Sequence, residues 1–324
     1  MLRTPSFPEA EFAEMQREQV NAIQQQMPEP QALAENAMAR LLDATPDDHV
    51  SHVRTLEQQL AQLKTLTVAQ VRAFHQQFYG ANNVTMAVVG DFDAAALKSQ
   101  AERLFGNWNA VQPFVRMPVT IRDVTAQKVA IDTPDKANST LFASLPLSLK
   151  DDAEDYPALM LANHILGGGA LHSRIADRIR QKDGLSYGVG SYLSVRTLDP
   201  AAKWGAYAIS APENTAKVEA ALLRRNRARA QGWLHRSGTG GRKKGWRQAE
   251  EVGRTDDGAL AYQLANYLYL KRTMAYDQAL EAKVAALKLA QVNAALRKYV
   301  DPGKMSVVSA GRCLSKAAAA AKGK

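Results

Sequence analysis

Apolar positions 68, 71, 74 and 78 (Val68, Val71, Phe74 and Phe78) fall at helical spacing, and the chain then turns through Gly80 to Asn83. Val84, Met86 and Val88 follow in alternation, which predicts a half-buried strand ending at Gly90. The same order returns at an offset of about 220 residues. There Val292, Leu296 and Tyr299 precede the turn Asp301-Pro302-Gly303 and a strand around Met305 to Val308. A repeat this long implies duplicated α+β units. Ahead of the first copy the pattern predicts only helices, from Glu9 to Met27, after Pro30, and from Leu56 to Leu63. With units of roughly 200 residues, residues 1–112 read as the second half of one unit and 113–324 as a complete one. The stretch NAVQPFVRMPVT joins them, with two prolines and little periodicity.

Within the complete unit, Gln127 to Asp132 and Ser139 to Leu147 read as strands and Asp155 to Leu166 as a helix. Gly167-Gly168-Gly169 breaks the chain before another helix, Ser173 to Gln181. Leu185 to Val195 alternates as a strand, placing Tyr187, Val189, Leu193 and Val195 on one face. Trp204 to Ser210 is a further strand, and Asn214 to Ala221 begins the next helix. Strands followed by runs of helices predict an α+β sandwich.

Composition narrows the functional classes. The chain has 324 residues and one cysteine, Cys313, which excludes an internal disulfide and a cysteine-built metal site. No apolar run reaches the length of a membrane span, and MLRTPSFPEAEF lacks the apolar stretch of a signal peptide. The net charge of +9 is local. Nine of the 41 basic residues lie between Arg224 and Arg247 with no acid among them, and the remainder equal the 32 acidic residues. A general nucleic-acid or anionic-membrane partner is therefore not expected.

The glycine triplet has two readings: an anion site at a helix start, or a helix-entry turn that needs positive φ. It lacks the Lys-Ser/Thr of a P-loop and the spacing of a dinucleotide fold. The wider pattern is more specific. Asn163-His164-Ile165-Leu166-Gly167-Gly168-Gly169, Ser173-Arg174, Ile179-Arg180 and Gly184-Leu185-Ser186-Tyr187-Gly188 together resemble the last part of a pitrilysin (insulinase) family zinc metallopeptidase. Asp155-Tyr156-Pro157, Val89-Gly90-Asp91 and Leu104-Phe105-Gly106-Asn107-Trp108 support the resemblance.

The resemblance implies duplicated α/β sandwich units of the mitochondrial processing peptidase-like type, one half unit plus one full unit. It also implies two halves that close around a peptide, with an inverted zinc motif, His-x-x-Glu-His, on the first domain. The last domain contributes an Arg and a Tyr seven residues apart, matched here by Arg180 and Tyr187. A hydroxyl and a guanidinium can steady the oxyanion of peptide hydrolysis. Apart from the resemblance, Arg180 reads as a solvated helix-end cation and Tyr187 as a half-buried strand aromatic.

None of the six histidines, His49, His52, His75, His164, His172 and His235, belongs to the zinc motif. This chain is therefore expected to bind no metal and to have no catalytic residue of its own, with zinc carried by a partner half or subunit. Its expected partners are that half and a peptide substrate, with no nucleic acid and no membrane span. The alternatives are a non-catalytic scaffold subunit of the same fold and a non-functional truncated gene product. A full-length parent would be periplasmic, and the chain otherwise cytoplasmic.

Arg224 to Arg242 interrupts the helix expected after Leu222 with arginines and then glycines. A single-base shift of reading frame around Trp233 lets allowed codons spell Asp-Gly-Phe-Thr-Glu-Ala-Glu-Leu, matching the family's turn and Phe7-Pro8-Glu9-Ala10-Glu11-Phe12 in the first unit. The underlying DNA decides that expectation. The rival reading is a basic loop for nucleic acid or anionic lipid.

Overall fold

Alternating side chains on Ser139–Leu147 (β2) point to two different cores, and that double burial organises the larger part of the molecule. The computed structural model describes residues 1–168, 173, 175–229 and 239–312, with only the backbone at Arg178, 224–229 and 239–240. Gly169, His172, residues 230–238 and Cys313 lie outside the described residues. Two units emerge, each assembled from three stretches: 1–24, 57–117 and 249–278 in the first, and 25–56, 118–248 and 279–324 in the second.

In the second unit β2 joins Lys128–Asp132 (β1), Gly188–Val195 (β3), Ala202–Ser210 (β4) and Ser306–Gly311 (β5). The order is β1-β5-β2-β4-β3, with β1 and β5 parallel and every other pair antiparallel. Leu141, Ala143, Leu145, Trp204 and Ala206 face one core, shared with Tyr156–Asn163 (α6), Thr215–Arg229 (α7) and Leu289–Tyr299 (α11). Phe142, Val308 and Ala310 face the other, closed by Ala34 and Met38 of Pro30–Leu41 (α2). Both faces of β2 are covered, so its sequence lacks the polar alternation of a solvent-facing strand. On the α2 face, the ring of Tyr192 lies over Gly205 and that of Tyr207 over Gly190, each across the β3–β4 ladder. A Cβ on either glycine would collide with the tyrosine above it.

The first unit is built from helices: Glu9–Gln26 (α1), Leu56–Thr65 (α3), Val68–Phe78 (α4), Ala94–Phe105 (α5) and Asp257–Leu270 (α9). Thr239–Gly253 (α8) and Ala275–Ala286 (α10) run between the stretches of the two units. Polar bonds tie the first unit together. Gln16 donates to the carbonyls of Leu63 and Leu66 at 2.7 and 2.9 Å, and Arg3 to Asn107 Oδ1 at 2.7 Å. Gly80 lets the backbone of Asn109 and Ala110 approach too closely for any side chain. Asp93 caps α5, accepting from the amides of Ala95 and Ala96. None of this unit's described residues is fully buried.

Three expectations need correction. Residues 84–90 alternate as a strand should, yet they form no ladder, and Val84 and Met86 are 62% and 51% exposed. Alternation selects the faces of a strand, but a ladder requires a neighbouring edge, and none of this unit's described residues lies in a strand. The helix expected to end at Leu166 runs on to Gly168 as a π-helical turn, His164–Gly168, that continues α6, and the rest of the expected break, from Gly169, lies outside the described residues. The second helix there is also π-helical, Ala176–Lys182. Finally, α7 runs on past Arg224 to Arg229, because Arg and Ala sustain a helix without an apolar stripe.

Candidate functional site

The π-helical turn His164–Gly168 packs directly on β3. A side chain at Gly167 would strike the backbone nitrogen and side chain of Ser191, and one at Gly168 would crowd Asn163. Neither glycine has positive φ. Close approach, not a left-handed conformation, requires glycine at these two positions. Ser191 is buried and donates from its hydroxyl to Asn163 Oδ1 at 2.8 Å, locking the turn to the strand. π-bulges of this kind recur at functional sites because they re-aim the residues that follow.

The next π-helical run carries Arg180, exposed to solvent. From there the chain closes on itself. The amide of Leu185 donates to the Ile179 carbonyl at 2.9 Å, Gly184 takes φ +60°, and the amide of Tyr187 donates to the Ile209 carbonyl of β4 at 3.3 Å. The Ser186 hydroxyl donates to the carbonyls of Ile209 and Gly188 at 2.6 and 2.8 Å. Tyr187 therefore sits immediately ahead of β3, 52% exposed, and not within the strand. Partial burial pushes its phenol above the ordinary value, so at neutral pH it remains a hydrogen-bond donor. The arrangement presents two outward-facing donors, a guanidinium and a hydroxyl, at the ends of one hydrogen-bonded turn.

Two of the described histidines have surroundings that explain them. His52 Nδ1 lies 3.0 Å from Asp43 Oδ2 in a loop that Asp43 organises, accepting from the amides of Thr45 and Val53 at 3.0 and 2.8 Å. Burial works against the Asp43 charge, but those bonds, the Thr45 hydroxyl and His52 together hold its carboxyl below the usual value. Burial, and then the Arg242 charge, lower His164 and keep its imidazole neutral at pH 7. Among the described residues no group of three or more His, Cys, Asp or Glu is placed to hold a metal ion.

Two features were not anticipated from the sequence. Asp155 accepts from Lys298 at 2.6 Å and from the Tyr299 hydroxyl at 3.2 Å, joining α6 to α11. A groove of about 360 Å³ opens between α2 and the sheet, lined by Glu35, Met38, Phe142, Tyr192, Lys203 and Tyr207. The facing Gly and Tyr positions in β3 and β4 were the available signal for its aromatic floor.

The sequence model described as the peptidase M16 inactive domain matches residues 65–232, a stretch that includes the glycine turn, Arg180 and Tyr187. A peptidase M16 inactive domain from Pseudomonas fluorescens is similar in structure, with a TM-score of 0.80 and 23% identity over 96% of this chain and 73% of that one. The periplasmic protease PqqL from Escherichia coli has a TM-score of 0.69 and 15% identity, over 94% of this chain and 33% of that one. A chain of complex III2 from Candida albicans has a TM-score of 0.69 and 14% identity, over 94% and 71%. Identities this low show a shared fold. None of the curated proteins matches the sequence.

Proposed function

From a chain that belongs to the peptidase M16 inactive-domain family, and so is a non-catalytic domain of that peptidase fold, we propose the substrate-side part of a two-half peptidase. Arg180 and Tyr187 face the peptide, and a separate half bearing His-x-x-Glu-His supplies zinc and cuts. The observation that carries this reading is the closed turn from Ile179 to Gly188, which leaves both side chains in solvent on a hydrogen-bonded base. A protonated phenol and a guanidinium can both donate to a peptide carbonyl oxygen as it gains charge.

Two measurements test the proposal. The pure chain shows no chelator-sensitive cleavage; such cleavage sinks the reading. Mixed with the zinc-bearing half, Y187F and R180A each lower kcat/KM by about 100-fold, the scale of one lost oxyanion donor, while the melting temperature is unchanged. Unchanged turnover returns Arg180 and Tyr187 to a solvated cation and a surface aromatic. A second reading, a scaffold subunit, draws on the likeness to a chain of complex III2. It is favoured if a stable assembly forms without any motif-bearing half.

A further inference from the structure

The sheet face on which α2 lies is only half covered by it. α2 packs on β5, β2 and β1, and β4 and β3 extend beyond the helix. On that side the ladder between β3 and β4 presents four pairs: Gly188 with Ile209, Gly190 with Tyr207, Tyr192 with Gly205, and Ser194 with Lys203. Glycine inside a strand weakens it, and marks places where another group approaches closely. Here Gly190 and Gly205 let the rings of Tyr207 and Tyr192 lie down on the sheet. Tyr207 also meets Phe142, with ring centroids 6.2 Å apart. The result is a flat aromatic floor, buried at Phe142 and partly open at both tyrosines.

The walls of this groove carry opposite charges, and every residue named here belongs to the second unit. Glu35 is exposed on α2, where one of its oxygens accepts from Gln31 at 2.9 Å. Lys203 is exposed on β4, two residues and so about 7 Å along the strand from Gly205, the glycine beneath Tyr192. Among the described residues the two charges do not pair with each other. Burial above all, and the Glu35 charge as well, hold the Tyr192 phenol above its ordinary value, against a hydrogen bond with Ser144. The Tyr192 ring and the Glu35 carboxylate line one cavity.

We propose that this groove binds a zwitterionic dipeptide with an aromatic side chain. The ring rests on Tyr192 and Tyr207, the ammonium meets Glu35, and the carboxylate meets Lys203. The volume of about 360 Å³ is near the lower end for small-ligand sites, roughly 300–1,000 Å³, and suits one or two residues, not an extended chain. In a free amino acid both charges flank one carbon and cannot reach opposite walls, whereas two residues span about 7 Å. The blocked ends of an internal peptide segment would leave both walls without a charged partner. This site does not depend on the role proposed for Arg180 and Tyr187.

Calorimetric titration of the 324-residue chain with phenylalanyl-phenylalanine at low salt tests the proposal. One site is expected, and acetylating the amine or amidating the carboxylate should each weaken binding by about 5-fold, the upper range for one exposed ion pair. Alanyl-alanine, which has no ring to stack, should give no measurable binding. E35Q should abolish the effect of acetylation and K203M that of amidation, with the melting temperature unchanged because both side chains are exposed. Four outcomes overturn the proposal: no binding, equal binding of free phenylalanine, cap effects that persist in E35Q and K203M, and equal binding of a longer peptide blocked at both ends. The last would make the groove a dock for an internal segment of another chain. The titration needs no zinc-bearing half, so a failed peptidase assay leaves its readouts untouched.

Discussion

Tyr267 shows how one polar cluster can be stabilised without burial of a large core. Its hydroxyl donates to Asp277 Oδ1 at 2.6 Å, and Gln263 donates to the same carboxylate at 3.2 and 3.3 Å. Burial first, and then the hydrogen bond to Asp277, push the phenol up to about 12. Folding therefore favours the protonated form. The stabilisation is present below the unfolded value of 10.0 and is lost as pH rises through about 12. In an absorbance titration of tyrosinate, Y267F should remove the step near 12 and leave the earlier steps in place. A step lost near 10 would show that the Asp277 contact does not form in solution.

At the level of elements, the join between the π-helical turn and β3 carries its own prediction. Placing a methyl group at Gly167 forces Ser191 to move, so G167A should cost about 1–3 kcal/mol in denaturant unfolding, the usual cost of overpacking. S191A, which loses only the bond to Asn163, should cost about 1 kcal/mol. An equal or smaller cost for G167A would mean the turn is not pressed on the strand. This join also marks where sequence reading stopped. Helices Glu9–Gln26 and Pro30–Leu41 were legible from spacing and a leading proline, and Ser139–Leu147 from its uninterrupted apolar and small residues. A π turn was not, because positions that suit an i+5 ladder suit an i+4 ladder nearly as well. Residues 84–90 misled for another reason: alternation is local, and pairing is not. Arg180 and Tyr187 were proposed through a family resemblance; no periodicity or charge pattern singles them out.

Over the whole molecule, the apolar core is unevenly shared. Trp204 and Trp246 are buried in the second unit, whereas the first has no fully buried residue among those described. Units with little buried surface open first. Fluorescence in rising urea should therefore show two transitions, with W108F removing amplitude from the earlier one and leaving the later midpoint in place. A single transition seen by every probe would show that the chain unfolds as one body.

The reciprocal seating of Tyr192 over Gly205 and Tyr207 over Gly190 has an evolutionary corollary. A larger residue at either glycine makes the tyrosine ring opposite shift or shrink, so the two strands are expected to change in pairs. Across descendants of this chain, those four positions should show epistasis: single replacements purged, compensated doubles retained.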